Sequence, residues 1–442
     1  MKKGFLGILA LTLIFGMAVI GCDDGDNNGE NNGNGNGNVF LSKMNVSDAT
    51  NLFIAPAYSI IGRSARNTSN ANKLFKITED GFIQEVTFTY EDEEGNLTTS
   101  TETLIPETII VLNGNYLIIS FGYNNNYLVN TNTEACYVYT NELPDPSNND
   151  NSNSGLYSGE YISYDENGNI YFIADNGIKK ISVSNINNVS ISTVSAQNDI
   201  VNSFAVDKHG NIAYRATNSS GNNYLRYRKA NGGYEILPSI WQSSFWTDFN
   251  GNLYFYEQSY HDGKQIKRID PEPYSLIDYA DMIPLGLEYN NIWGFHYLFK
   301  IKNKNKIIAI NNYKGGNAAQ GIYEVFNNDS DQFGFVGFNT FNLISINIAT
   351  ASENYYYLAG TSTGTPKIIL VKVNPLDNSF STLIDGDYDI YKLTVSNDDI
   401  LTFNALQMSN GAIVVGQISS DGVVTVLDVT LDSELTVLER IR

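Results

Sequence analysis

From about residue 39 onward, short runs rich in Ile, Val, Tyr and Phe alternate with Asn/Gly/Asp turns at intervals of roughly ten residues. Helical periodicity is scarce, and the pattern predicts an all-β protein. The parts of a repeating unit can be named. Ser203-Phe204-Ala205-Val206 reads as a strand leading into Asp-x-x-Gly-Asn, a second strand follows, Ile178-Lys179-Lys180-Ile181 reads as a third, and Val189-Ser190-Ile191-Ser192 as a fourth. Asn-Gly and Asp-Gly sequences accept the positive φ of a tight hairpin, and the carboxylates of Asp165, Asp207 and Asp248 are expected to cap those turns.

A longer period lies over this one. DENGNIYFIAD, DKHGNIAYRA and DFNGNLYFYEQ place Gly168, Gly210 and Gly251 at intervals of 42 and 41 residues. That interval fits one four-stranded propeller blade. Weaker copies open at Leu112–Tyr116, Lys304–Ile307, Glu353–Tyr355 and Asn397–Ile400, and KLFKITEDGFIQEVTF, within Tyr58–Tyr90, reads as a third and fourth strand. The expected fold is a β-propeller of eight four-stranded blades. Seven is the alternative if the first and last units share a sheet, and Leu435–Ile441 is the segment expected to close the ring.

The hairpin motif resembles the NHL repeat, with residues 165–175 the nearest match and three units matching well. The resemblance implies a propeller. It does not imply an activity, because propellers of this type include scaffolds, sugar-lactone hydrolases, lyases and sensors.

The N-terminus reads differently. Two lysines precede an apolar run from Gly4 to Gly21, the form of an export signal. An uncleaved membrane anchor is the competing reading, since eighteen apolar residues are just enough to span a bilayer. Val19-Ile20-Gly21-Cys22 resembles the bacterial lipobox and favours cleavage, which makes Cys22 the lipidated first residue. Residues 23–38 are only Asp, Asn, Gly and Glu. With nothing apolar to offset ordering, they are expected to form a flexible tether about 20–25 Å from end to end. The expected division is a signal peptide at 1–21, the lipidated Cys22 and tether at 22–38, and the propeller at 39–442. The expected location is a bacterial cell envelope, anchored by lipid at the periplasmic or cell-surface face of a membrane.

Composition narrows the chemistry. The net charge is −21, with 27 basic and 48 acidic residues, which disfavours nucleic acid as a partner. Two cysteines and three histidines leave little for a metal or nucleophilic site. Cys136 alternates within a strand and reads as a buried thiol, and His209 as a turn residue. The Asp-x-Asn-Gly-Asn hairpins lack the remaining oxygen ligands of a calcium loop. No catalytic residue, metal site or cofactor is assigned.

One cluster stands out for binding. Loops joining the fourth strand of a blade to the next blade, and the second strand to the third, open on one propeller face. Trp241, Tyr260, His261, Trp293 and His296 fall on or near such loops of the fifth and sixth units. Aromatic faces with polar tips suit a sugar ring or a peptide, although tryptophans also wedge blades apart. The sequence predicts a monomeric envelope lipoprotein that binds a protein or glycan without catalysis. The alternative is a lactonase-like hydrolase or lyase with a site in the central channel. A purely structural envelope protein is a third reading.

Overall fold

A computed structural model describes residues 41–56, 72–91, 95–99, 104–111, 116–121, 125–140, 162–174, 176–185, 188–237, 245–256, 266–271, 274–280, 297–312, 320–327, 334–431 and 434–441. These residues form strands joined by turns, with two short 3-10 turns at Lys302–Lys304 and Phe338–Phe341.

The turn chemistry explains the strand spacing. Gly168, Gly210 and Gly251 have φ of 75°, 84° and 78°, a region that disfavours any side chain. In each hairpin the preceding Asp accepts two backbone N–H bonds. Asp165 Oδ1 takes those of Asn167 and Asn169 at 2.9 and 3.0 Å, and Asp207 those of His209 and Asn211 at 2.9 and 2.8 Å. Asp248 takes those of Asn250 and Asn252 at 2.8 and 2.9 Å. In weaker copies of the motif, Asn305 and Asp399 adopt positive φ in place of glycine.

Eight four-stranded antiparallel sheets result among the described residues, each running in sequence order except the first. The second to fourth sheets run from Pro106–Val111 to Cys136–Thr140, Ile162–Tyr164 to Asn188–Thr193, and Ile200–Val206 to Tyr234–Leu237. The fifth and sixth run from Phe245–Thr247 to Tyr274–Ala280 and from Tyr297–Ile301 to Phe335–Val336. The seventh and eighth run from Leu343–Ala351 to Phe380–Asp385 and from Tyr388–Val395 to Val424–Leu431. The first sheet takes its leading strand from the far end of the chain: Val437–Arg440 pairs with Ala49–Pro56, followed by Asn72–Thr78 and Ile83–Glu85.

Both faces of a sheet carry core. In the fourth sheet Phe204, Val206, Ile212 and Tyr214 pack toward the third, while Ala205, Ala213 and Leu225 pack toward the fifth. Trp246 and Tyr254 carry the fifth onto Ile307 and Tyr323 of the sixth. Further clusters join the sixth to the seventh, the seventh to the eighth, and the eighth to the first. Successive sheets stacked face to face, with the last strand closing on the first, make a β-propeller. Burial on both sides explains why its strands read as near-continuous apolar runs.

One expectation needs correction. The first unit was expected around Tyr58–Tyr90, and its third and fourth strands do lie there at Asn72–Thr78 and Ile83–Glu85, but its second strand lies upstream at Ala49–Pro56 and Tyr90 leaves the sheet altogether. Phe88–Glu91 instead pairs with Lys43–Met44 and Leu97–Thr99 in a separate three-stranded sheet. The reason is the strap at Leu41–Val46, whose Leu41, Met44 and Val46 are buried and whose backbone needs a partner strand.

Candidate binding site

Trp241, Tyr260, His261, Trp293, His296 and Cys22 all lie outside the described residues. Among the described residues, a cluster of the same chemical kind lies between the third and fourth sheets. Residues 194–199 join the fourth strand of the third sheet to the first strand of the fourth, and Asn218–Asn222 joins the second and third strands of the fourth. By strand polarity, these two turns open on one and the same face.

Asp199 sits at the centre. Its side chain is only 4% exposed, and Tyr214 Oη donates to its Oδ2 at 3.1 Å. Tyr224 Oη donates to its Oδ1. Arg226 completes the set, its Nε 3.3 Å from Asp199 Oδ2. The guanidinium carbon of Arg226 lies 4.9 Å from the centre of the Tyr224 ring and 5.7 Å from that of Tyr234. Tyr234 is tied down by its hydroxyl, which donates to the Val194 carbonyl at 3.2 Å. The loop is held in turn by the Ala196 N–H, which donates to Tyr214 Oη at 3.2 Å.

Strand alternation builds this arrangement. Tyr224, Arg226 and Arg228 are every second residue of Asn223–Arg228, so they share one face of the fourth sheet. Burial and the bond to Asp199 push the Tyr224 phenol above its ordinary value, and burial with the charge of Asp199 does the same to Tyr214. Both phenols therefore stay protonated and keep donating. A buried carboxylate bonded by two hydroxyls and paired by charge with one guanidinium holds its partners in fixed positions, and such rigidity lowers the entropy lost on binding a ligand. The composition reading missed these residues. The signal available was Tyr-x-Arg-x-Arg at 224–228 on a strand of known polarity.

Other candidates resolve into structural parts. The second carboxylate oxygens of Asp165, Asp207 and Asp248 accept the side-chain amides of Asn169, Asn211 and Asn252 at 2.6, 2.6 and 2.8 Å. These carboxylates are thus engaged by their own hairpins. The hairpins also link to one another, since the Glu166 N–H donates to Lys208 O at 2.8 Å and Glu166 Oε1 meets His209 Nδ1 at 3.1 Å. Cys136 opens its strand, buried, with burial and neighbouring Glu134 pushing its thiol up. Among the described residues no group of three or more His, Cys, Asp or Glu side chains is placed to hold a metal ion.

One carboxylate has a different setting. Glu439 lies on the closing strand Val437–Arg440, half-buried, and burial pushes it up to about 7 while Lys392 on the first strand of the eighth sheet pulls it down. Val437–Arg440 takes the first place in its sheet, the place that faces the axis in a propeller blade.

No family model matches the chain, and no curated protein matches it. Among solved structures, a eukaryotic initiation factor is 10% identical, with 88% of this chain and 98% of that chain covered at a TM-score of 0.48. An oligogalacturonate lyase from Vibrio parahaemolyticus is 7% identical, with coverages of 83% and 95% and a TM-score of 0.44. A virginiamycin B lyase from Staphylococcus aureus is 12% identical, with coverages of 65% and 87% and a TM-score of 0.37. Identities and scores this low leave the function to be read from the chain's own residues.

Proposed function

We propose that this protein is a lipid-anchored cell-envelope propeller that binds a glycan or protein partner through its loop face, without catalysis. The signal-like segment ending at Cys22 and the Asn/Gly/Asp tether support the anchor, because acyl chains on one residue hold a domain at a membrane surface without spanning it. The observation that carries the binding reading is Arg226 held between Tyr224 and Tyr234 with Asp199 behind it. Aromatic surface with fixed polar groups is the usual composition of a binding hot spot. Trp241, Tyr260, His261, Trp293 and His296 extend the same face in this proposal.

Two variants test the two halves. Cys22→Ser should move the protein from the membrane to the soluble fraction and abolish labelling by a palmitate analogue. Retention at the membrane without labelling would remove the lipoprotein reading. Tyr224→Ala should weaken capture of an envelope ligand while leaving the fold intact, and unaltered capture would remove the loop face as the site.

A central-channel hydrolase or lyase is the second reading, and Glu439 is the observation that favours it. A carboxyl group titrating near neutrality is suited to general acid or base work. Lactone hydrolysis or lyase turnover lost in Glu439→Gln would support that reading, and absence of turnover in the parent protein would remove it.

A further inference from the structure

The clefts between neighbouring sheets are not filled alike. Between the sixth and seventh sheets the wedge is apolar, built around Ile301, Phe341, Tyr356 and Ile369. Between the third and fourth the apolar filling is confined to residues such as Phe204, Ile212 and Tyr214, and the strands beyond them carry cations. Arg226 and Arg228 project from the third strand of the fourth sheet. Opposite, Lys180 lies on the third strand of the third sheet with its Nζ 5.5 Å from the centre of the Tyr171 ring.

Of the carboxylates between these two sheets, Glu166 is exposed and engaged by His209 at the hairpin end, while the aspartates lie beneath the surface. Asp165, Asp199 and Asp207 are all buried, and each is engaged by tyrosine, asparagine or backbone donors. Asp199 pairs with Arg226. Arg228 has no ion pair among the described residues, and its Nε is buried without a hydrogen-bond partner. Its guanidinium lies 5.9 Å from the centre of the Tyr234 ring, and Tyr234 is 40% exposed. In a chain of net charge −21, the rim formed by Lys180, Arg226, Arg228 and Tyr234 is cationic and aromatic.

We propose that the outer cleft between the third and fourth sheets is an anion subsite that takes the carboxylate-bearing sugar units of an envelope polysaccharide. This rests on the binding reading above and gives it a ligand class. Arg228, whose Nη1 also reaches the Lys229 carbonyl at 3.5 Å, pairs with the carboxylate through its guanidinium, and Lys180 adds a second charge. The exposed ring of Tyr234 carries the apolar face of the sugar. Ser192, exposed and paired in register with Lys180, supplies a hydroxyl for the ring's own hydroxyls.

The test uses the full-length protein and a matched pair of probes: a β-1,4-linked glucuronate hexamer and cellohexaose, which differ only in the carboxylate at each ring. Titration calorimetry should show binding of the glucuronate hexamer that weakens as salt is raised, with cellohexaose at least about tenfold weaker. Arg228→Ala should weaken the acidic hexamer by about tenfold or more, Arg228→Lys by less, and Tyr234→Ala should weaken both sugars. Equal binding of the two sugars, or unchanged binding by a folded Arg228→Ala variant, overturns the proposal. So does binding of a hexaglutamate peptide in place of the sugar. Loss of the glucuronate result while a loop-face ligand is still captured through Tyr224 would sink this inference alone and leave the binding function standing.

Discussion

Phe53, near the start of the folded chain, is paired in register with Leu438, near its end. The two side chains share an apolar cluster with Leu435, Val415 and Leu427, so the eighth sheet, the closing strand and the first sheet form one packed unit. Chain closure by pairing of the two ends couples them in one cooperative transition. Leu438→Ala should lower stability by about 2–5 kcal/mol, the range for a buried leucine. A urea midpoint unchanged from the parent would show that the closing strand contributes little.

The hairpin caps predict a second effect. Asp248 receives two backbone N–H groups, the Asn252 amide and the Tyr254 hydroxyl, the last at 3.1 Å. Asp248→Ala leaves these donors unpaired and should cost about 1–3 kcal/mol. Tyr254→Phe removes one donor and leaves the cap, so its cost should be smaller. The ordering of the two urea midpoints checks the assignment, and the reverse order would contradict it.

The repeat was legible because its turns demand particular residues. Gly, Asn or Asp takes the positive-φ position, and in the three well-matched copies an Asp three residues ahead of it caps the turn, so the period survives where the strands have drifted. The segment at 435–441 was legible as the closing strand for a simpler reason, being β-prone where a ring needs an end. The strap at Leu41–Val46 and its three-stranded sheet were not. Lys43–Met44 is a two-residue strand, too short to show alternation. Asp199 was hidden because its role depends on Tyr214 and Tyr224, and nothing local marks which tyrosines will converge across a cleft.

Glu439 gives a pH signature. Its carboxyl group is raised from the ordinary 4.5 to about 7, chiefly by burial. Between those values the folded chain holds a proton that the unfolded chain has released, so stability falls as pH rises from 4.5 to 7 and the contribution is lost above 7. Glu439→Gln should flatten this slope when unfolding free energy is followed from pH 4.5 to 8. An equal slope in both proteins would place the titration elsewhere.

Asp199 should matter to fold and ligand together. Asp199→Ala strands two hydroxyls and a guanidinium and should cost about 3–5 kcal/mol, as removal of one partner from a buried ion pair does. Tyr224→Phe should cost less, about 0.5–1.5 kcal/mol for one hydrogen bond. Thermal unfolding compares them, and equal losses would mean that Asp199 is held by Tyr224 alone.

The central claim is non-catalytic binding through the loop face, and cross-linking in intact cells tests it most directly. Tagged full-length protein would be compared with Tyr224→Ala/Arg226→Ala and with Trp241→Ala/Trp293→Ala, each first shown to be folded. The account predicts one defined envelope component bound to the parent and lost from both variants. Capture of the same component by all three proteins would contradict it.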